Sequence, residues 1–237
     1  MTTGDILGLI LSYVYAFGML LGVEALGRAL RWSTPFTRKI IHIGAGLWVW
    51  GILALFDHWY WGIIPFATFI GLNYAFYRQQ TFKQMDASDS TPGTVYFAFS
   101  ITALFALLWR TGEGVLDRAP LAVAAVMAMT LGDALASIVG RRWGAHRYTV
   151  FGYARSWEGT AAMAVFSFAG ILFSLLVVPA SPLSPNSFPV GARAALGMSA
   201  LGTLVATAAE AVSPVGTDNL SVPLLTGVAL WGLSVTL

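Results

Sequence analysis

Eight stretches of this sequence, near residues 5–27, 39–56, 59–77, 94–110, 119–140, 159–178, 191–212 and 221–237, are almost unbroken runs of apolar side chains. A helix needs roughly 20 such residues to cross the hydrocarbon core of a bilayer. Lipid offers no partner to a bare peptide group, so each run must satisfy its own backbone. The chain is 57% hydrophobic and only 10% charged, against about 25% charged residues in an ordinary soluble domain. The expected fold is all-α, a polytopic transmembrane helical bundle of about eight spans, or seven if the short last run does not cross. Twenty-five glycines suit close helix packing in lipid, and nine tryptophans with eight tyrosines suit interfacial belts.

No Gly/Ser linker or long charge run divides the spans, so residues 1–237 read as one domain. The first run follows an acidic start, MTTGD, and reads as a retained span rather than a cleaved signal. There is no cysteine, and His42, His58 and His146 stand too far apart for a zinc site by spacing. A net charge of +2 gives no reason to expect a nucleic-acid partner.

Basic residues set the orientation. Ten of the 13 Lys and Arg residues fall in or beside the loops after spans one, three and five, leaving Arg110, Arg118 and Arg193 for the other side. Those odd-numbered loops are therefore expected in the cytoplasm. On this topology Arg38, Lys39 and His42 open span two from the cytoplasmic side. Asn73 lies near the cytoplasmic end of span three, Asp133 about two turns from that of span five, and Glu210 near that of span seven. Asp218 and Asn219 follow in the next loop. The polar groups converge on one membrane face.

Asp133 anchors the strongest pattern. A carboxylate within a span is costly and usually functional. With Ser137, Gly140, Arg141 and Gly144 it forms one helical stripe. Such a stripe can hold Mg²⁺ or take a proton from a hydroxyl at Asp133 while phosphates approach the glycine backbone. A carboxylate paired with Arg141 for packing alone is the plainer account. The loop that follows carries Arg141, Arg142, Arg147 and Arg155 and leads into Ser156-Trp157-Glu158-Gly159. Ser156 can cap the next helix, and a helix start beside arginines is an anion site. No Walker sequence occurs in the chain.

Two further groups are compatible with phosphate or metal chemistry. Asp89, in a polar turn with Asp86 and Thr91-Pro92-Gly93-Thr94, is a weaker metal or nucleotide candidate, because a solvated turn before a helix already explains it well. Glu210 and Asp218 can share a metal with Asp133; a helix end with an Asx turn is the alternative.

The motif Asp133-x-x-Ala136-x-x-x-Gly140, then Gly144, then Arg155-Ser156-x-Glu158-Gly159, resembles the nucleotide-binding motif of the dolichol kinase and phytol kinase family. Arg38-Lys39-x-x-His42 resembles that family's early motif. Glu210, Ser213 and Asp218-Asn219-Leu220-Ser221-Val222-Pro223 resemble its C-terminal one. The short chain is more similar to the phytol kinase branch. The resemblance implies a CTP-dependent kinase in an inner or equivalent membrane. It would phosphorylate an isoprenoid alcohol such as phytol, farnesol, geranylgeraniol or a longer polyprenol, with Mg²⁺.

In that reading Asp133 serves metal or hydroxyl, and Lys39 and His42 touch the transferred group. Ser137, Gly140, Arg141, Arg142, Gly144, Arg155, Ser156, Glu158 and Gly159 surround the nucleotide, and Glu210 and Asp218 complete a metal site. Two rivals use similar residues. A phosphatidate cytidylyltransferase-like enzyme also uses CTP in a membrane, but its Lys-Arg, His-Gly-Gly and Asp-Arg-x-x-Asp elements are missing here. An ion-coupled transporter would use an intramembrane carboxylate for an ion.

Overall fold

The computed structural model describes residues 1–79, 92–214 and 216–236. All eight apolar runs are helical. Along the chain come α1 (Thr3–Ala29), α2 (Thr34–Leu55), a single turn α3 (Trp59–Gly62), α4 (Ile64–Gln79), α5 (Gly93–Leu108), α6 (Ala119–Met127), α7 (Ala134–Trp143), α8 (Trp157–Val177), α9 (Ala192–Val212) and α10 (Asp218–Ser234). Five of the resulting helices are long and apolar enough to cross a membrane: α1, α2, the continuous Ala119–Trp143 helix, α8 and α9. α4, α5 and α10 are shorter, at 16, 16 and 17 residues. The architecture is an all-α membrane bundle.

Helix starts follow local chemistry. Thr2 and Asp5 form a capping box at α1. Pro35 and Pro120 sit in the first turns of α2 and α6, where a missing N–H costs nothing. The Ser156 hydroxyl accepts from the Gly159 N–H, 3.1 Å away, as the expected cap of α8.

The Ala119–Trp143 helix is the axis of the bundle. Ala119, Ala122, Ala124, Ala125 and Ala128 are fully buried. Side chains this small let α8, α10, α5 and α2 pack closely around one central rod. α1 lies at the other extreme, with most of its apolar surface facing outward toward lipid.

Between α6 and α7 the central helix widens into a π-helical turn, Ala128–Asp133. Such turns are rare and concentrate at functional sites. This one ends on Asp133.

The basic loop after α7 is more ordered than a plain connection. β1 (Arg147–Val150) and β2 (Tyr153–Ser156) pair antiparallel. Their two-residue turn holds Phe151 at φ 48° and Gly152 at φ 85°. Both central residues in the left-handed region make a tight turn whose twist suits a hairpin. Tyr148, Thr149, Val150 and Tyr153 supply strand-forming side chains. The hairpin stands immediately before the start of α8.

The opposite end of the bundle is tied by two buried carboxylates. Asp5 accepts from the His58 backbone N–H at 3.1 Å and pairs with His58 Nδ1 at 2.8 Å. Asp117 accepts from the Arg110 and Ala119 N–H groups and from Ser184 Oγ. These bonds fasten loops to helix ends there.

Candidate active site

One cavity of about 630 Å³ opens at the end of the bundle where α1, α4, α7 and α9 finish and α2, α5, α8 and α10 begin. Its volume is in the range of small-molecule sites. Its mouth is polar. Arg38, Lys39, Asn73, Asp133, Ser137, Gly140, Arg141, Arg155, Ser156, Gly159, Glu210, Asp218 and Asn219 all line it, with His42 behind Lys39. The polar residues expected at one end of the spans therefore line one cavity.

Asp133 is central to it. Its side chain is 5% exposed, and its Oδ2 lies 2.6 Å from Lys39 Nζ. His42 Nε2 is 3.8 Å from the same oxygen and 3.3 Å from the Met129 carbonyl. The imidazole leans on the Phe97 ring, centroids 4.6 Å apart. The partner of Asp133 is thus Lys39 and not Arg141, whose Nε reaches Ser137 Oγ at 3.4 Å. Arg141 is eight residues along the same helix, about 12 Å of rise, too far for direct pairing.

A second ion pair faces the first. Arg155 Nε lies 2.9 Å from Glu210 Oε1. Its guanidinium also donates to the Ser213 carbonyl at 2.9 Å and the Glu210 carbonyl at 3.3 Å. β2 therefore docks onto the end of α9. Ser213 Oγ donates to the Ala209 carbonyl and contacts Ser221 Oγ at 2.5 Å, which binds the α9 end to α10.

The two asparagines serve the backbone. Asn73 Nδ2 donates to the Thr94 carbonyl at 3.0 Å, and Asn219 Nδ2 to the Gly93 carbonyl at 3.1 Å. Both hold the start of α5. Asn219 Oδ1 is buried and has no hydrogen-bond partner among the described residues. Asp218 accepts from the Asn219 N–H.

Gly140 and Gly159 face each other where α7 meets α8. A Cβ on Gly159 would come 3.1 Å from the Ala136 carbonyl and 3.3 Å from Gly140 Cα. The missing side chains let two helix backbones touch beside the cavity. Gly144 ends α7 and packs on Ser156.

Three proposed nucleotide residues do not line the cavity. Gly144 is one. Arg142 lies over the Trp143 ring, 5.6 Å from its centroid. The Glu158 carboxylate turns to His146, accepting from its N–H and lying 2.7 Å from its Nδ1. Asp89 lies outside the described residues. Conversely, Arg147 and Thr160 line the cavity. Arg147 pairs with Ser156 across the hairpin, so the two side chains share a face. Only the strand alternation, unseen in a stretch read as a loop, could have singled it out.

No group of three or more His, Asp or Glu side chains converges on a metal position among the described residues. Asp133, Glu210 and Asp218 nonetheless line one cavity. Mg²⁺ is usually held by one or two carboxylates together with substrate phosphates and water. The donor set fits a nucleotide-borne Mg²⁺ better than an all-protein cage.

Beyond its mouth the cavity continues as an apolar arm between α1, α2 and α4, past Met19, Leu20, Ala45, Phe66 and Phe69 to Trp48. One space thus joins a cation-rich mouth to a greasy interior.

No protein-family model matches the chain, and no solved structure does. Several known proteins are similar along most of its length. A phytol kinase of Synechocystis sp. is 32% identical over 223 residues, covering 93% of this chain and 89% of the relative. A probable chloroplastic phytol kinase of Triticum aestivum is 26% identical, covering 89% of this chain and 71% of its own. A chloroplastic farnesol kinase of Arabidopsis thaliana is 25% identical over 69% of this chain and 55% of its own length.

Proposed function

This chain belongs to the phytol kinase family, and from that footing we propose that it phosphorylates a prenyl alcohol dissolved in the membrane, with CTP as donor and Mg²⁺ as the accompanying ion. One observation carries the reading. The cavity that holds Lys39, Asp133 and Arg155 at its mouth runs without a break into an apolar arm. An isoprenoid alcohol has that same division, a single hydroxyl on a hydrocarbon chain. A nucleotide reaches the mouth from water, and the alcohol reaches the arm from lipid.

Phosphoryl transfer asks for positioning and charge neutralisation more than covalent chemistry. Lys39, Arg38, Arg141, Arg147 and Arg155 supply positive charge around the phosphates. The prenyl hydroxyl oxygen bonds to the γ-phosphorus as the bond from that phosphorus to the β–γ bridging oxygen breaks. The nucleoside diphosphate leaves, and the hydroxyl proton passes to the Asp133 carboxylate. Mg²⁺ when bound offsets phosphate charge, and Asp133, Glu210 and Asp218 are the side chains that would hold it. CTP as donor rests on the motif running from Asp133 to Gly159. The cytoplasmic position of the mouth rests on the ten of 13 basic residues that the sequence puts in or beside the loops after spans one, three and five.

The test supplies CTP labelled at the α or the γ phosphate, with Mg²⁺ and a prenol, to the purified full chain and then extracts the lipid. Label in lipid from the γ position alone is expected. Label from the α position would mean nucleotidyl transfer and overturn the reading.

A further inference from the structure

We infer that Trp48 is the floor of the acceptor arm and limits the length of isoprenoid chain that can place its hydroxyl beside Asp133. The inference rests on the kinase reading above and goes further, to the substrate's length.

The arm follows α2 inward. Lys39 begins the apolar run and Trp48 lies nine residues deeper on the same helix, about 14 Å at the α-helical rise. The hydrocarbon core is about 30 Å thick. The arm therefore ends near the bilayer midplane, one leaflet deep.

What ends it is held rigidly. Trp48 Nε1 donates to Ser12 Oγ across the α1–α2 interface at 3.0 Å. An indole N–H in an apolar setting needs such a partner, and Ser12, 1% exposed, supplies it within the membrane. The Tyr15 ring stacks on the indole, centroids 4.2 Å apart and planes 14° apart. Tyr15 is fixed in turn by its hydroxyl, which donates to the Gly44 carbonyl at 2.8 Å. Gly51 leaves room on the other side: a Cβ there would lie 2.9 Å from the indole Cε3. Trp48 therefore has one orientation, with Phe66 closing the arm from α4.

Ala16 lines the arm one turn above Ser12 on α1. Its small side chain leaves the middle of the arm open. The acceptor that fits is a prenol short enough to lie between Asp133 and Trp48. A long polyprenol would have to leave the arm sideways, between α1 and α4, where Tyr13 and Phe17 meet Phe69.

The experiment is a competition. The full chain in lipid receives equimolar farnesol, geranylgeraniol, phytol and a long polyprenol with CTP and Mg²⁺, and mass spectrometry reads the share of each phosphate. The wild-type chain is expected to favour farnesol, the shortest of the four. Trp48→Ala is expected to raise the share of the long polyprenol relative to farnesol by roughly tenfold or more, the scale on which pocket shape discriminates. Ala16→Phe is expected to act oppositely, losing geranylgeraniol and phytol before farnesol. If Trp48→Ala yields no folded protein, Ala16→Phe decides alone.

Variants that turn over with the wild-type length profile would overturn the ruler and leave the kinase reading intact. A wild-type preference for the long polyprenol would do the same. Absence of any prenyl phosphate from the wild-type chain would remove the kinase reading itself, and the ruler with it.

Discussion

Lys39 Nζ lies 2.6 Å from Asp133 Oδ2, joining two helices at positions 94 residues apart in sequence. The pair holds the site's central carboxylate in place with a cation that a phosphate can also attract. Asp133 is 5% exposed at its side chain and Lys39 is 19% exposed. Removing the cation strands a buried charge, while removing both charges does not. Lys39→Met is therefore expected to destabilise the protein by about 3–5 kcal/mol, the usual cost of an orphaned buried ion. Lys39→Met with Asp133→Asn should recover most of that loss and none of the activity. Thermal unfolding of the single and double variants in one detergent checks this, and equal loss in both would refute the pairing as the cause.

Asp133→Asn alone separates chemistry from packing. Asn is nearly isosteric and can still accept from Lys39. A carboxylate that takes the acceptor's proton is worth roughly 10²–10⁴ in rate. Turnover per folded molecule is expected to fall by about that factor, with a melting temperature within a few degrees of wild type. A variant retaining near wild-type turnover would take Asp133 out of the reaction.

The hairpin makes a contrast between neighbouring arginines. Arg147 lines the cavity, whereas Arg142 lies over Trp143 outside it. A hydrogen bond to a charged group is worth about 1.5–3 kcal/mol, or roughly ten- to a hundredfold in affinity. Arg147→Ala should weaken nucleotide binding by that factor, and Arg142→Ala by about twofold at most. Calorimetric titration with a non-hydrolysable nucleotide reads both. Equal losses would show that the loop acts only through its summed charge.

Much of this site was legible in the sequence, for a physical reason. A charge in lipid is costly wherever it lies, so Asp133 and Glu210 stand out against apolar runs. The alternating direction of the helices brings those residues to one end, where both line the cavity. Helical phase then places Asp133, Ser137, Gly140 and Arg141 on one stripe, and all four line the cavity. The same phase puts Arg142 on the far side of the helix, nine residues and half a rotation from Asp133. The partner of Asp133 was not legible, because Lys39 comes from a distant helix and positive-inside charge already explained it. The hairpin was missed because four-residue strands give little period to read, and the stretch between two spans read as a basic loop. Glu158 was misplaced for a local reason: His146 captures its carboxylate before it can turn inward.

Arg155 offers a test of geometry over charge. Its guanidinium forms an ion pair with the Glu210 carboxylate and donates to the Ser213 and Glu210 carbonyls, so one planar group serves three contacts. Lysine keeps the charge but presents a single point and cannot hold all three. Arg155→Lys is expected to raise the KM for nucleotide by roughly tenfold, since β2 would lose its anchor on the α9 end while the positive charge remains. Steady-state kinetics with the nucleotide varied at saturating prenol check this. An unchanged KM would make charge alone sufficient.

The meeting of aqueous nucleotide and membrane alcohol depends on which face of the membrane the mouth opens to. The chain has no cysteine, so single cysteines can report from either face without background. Phe151, at the hairpin tip, is 80% exposed, and Phe188, in the loop before α9, is 72% exposed. The hairpin stands beside the cavity mouth, and Phe188 lies in the loop that joins the opposite ends of α8 and α9. With the basic loops in the cytoplasm, a membrane-impermeant maleimide added to intact cells should label Phe188→Cys and leave Phe151→Cys untouched until the membrane is opened. Labelling of Phe151→Cys in intact cells would place the mouth on the outer face. The nucleotide would then lie across the bilayer from its site, and the proposed phosphoryl transfer could not be supplied from the cytoplasm.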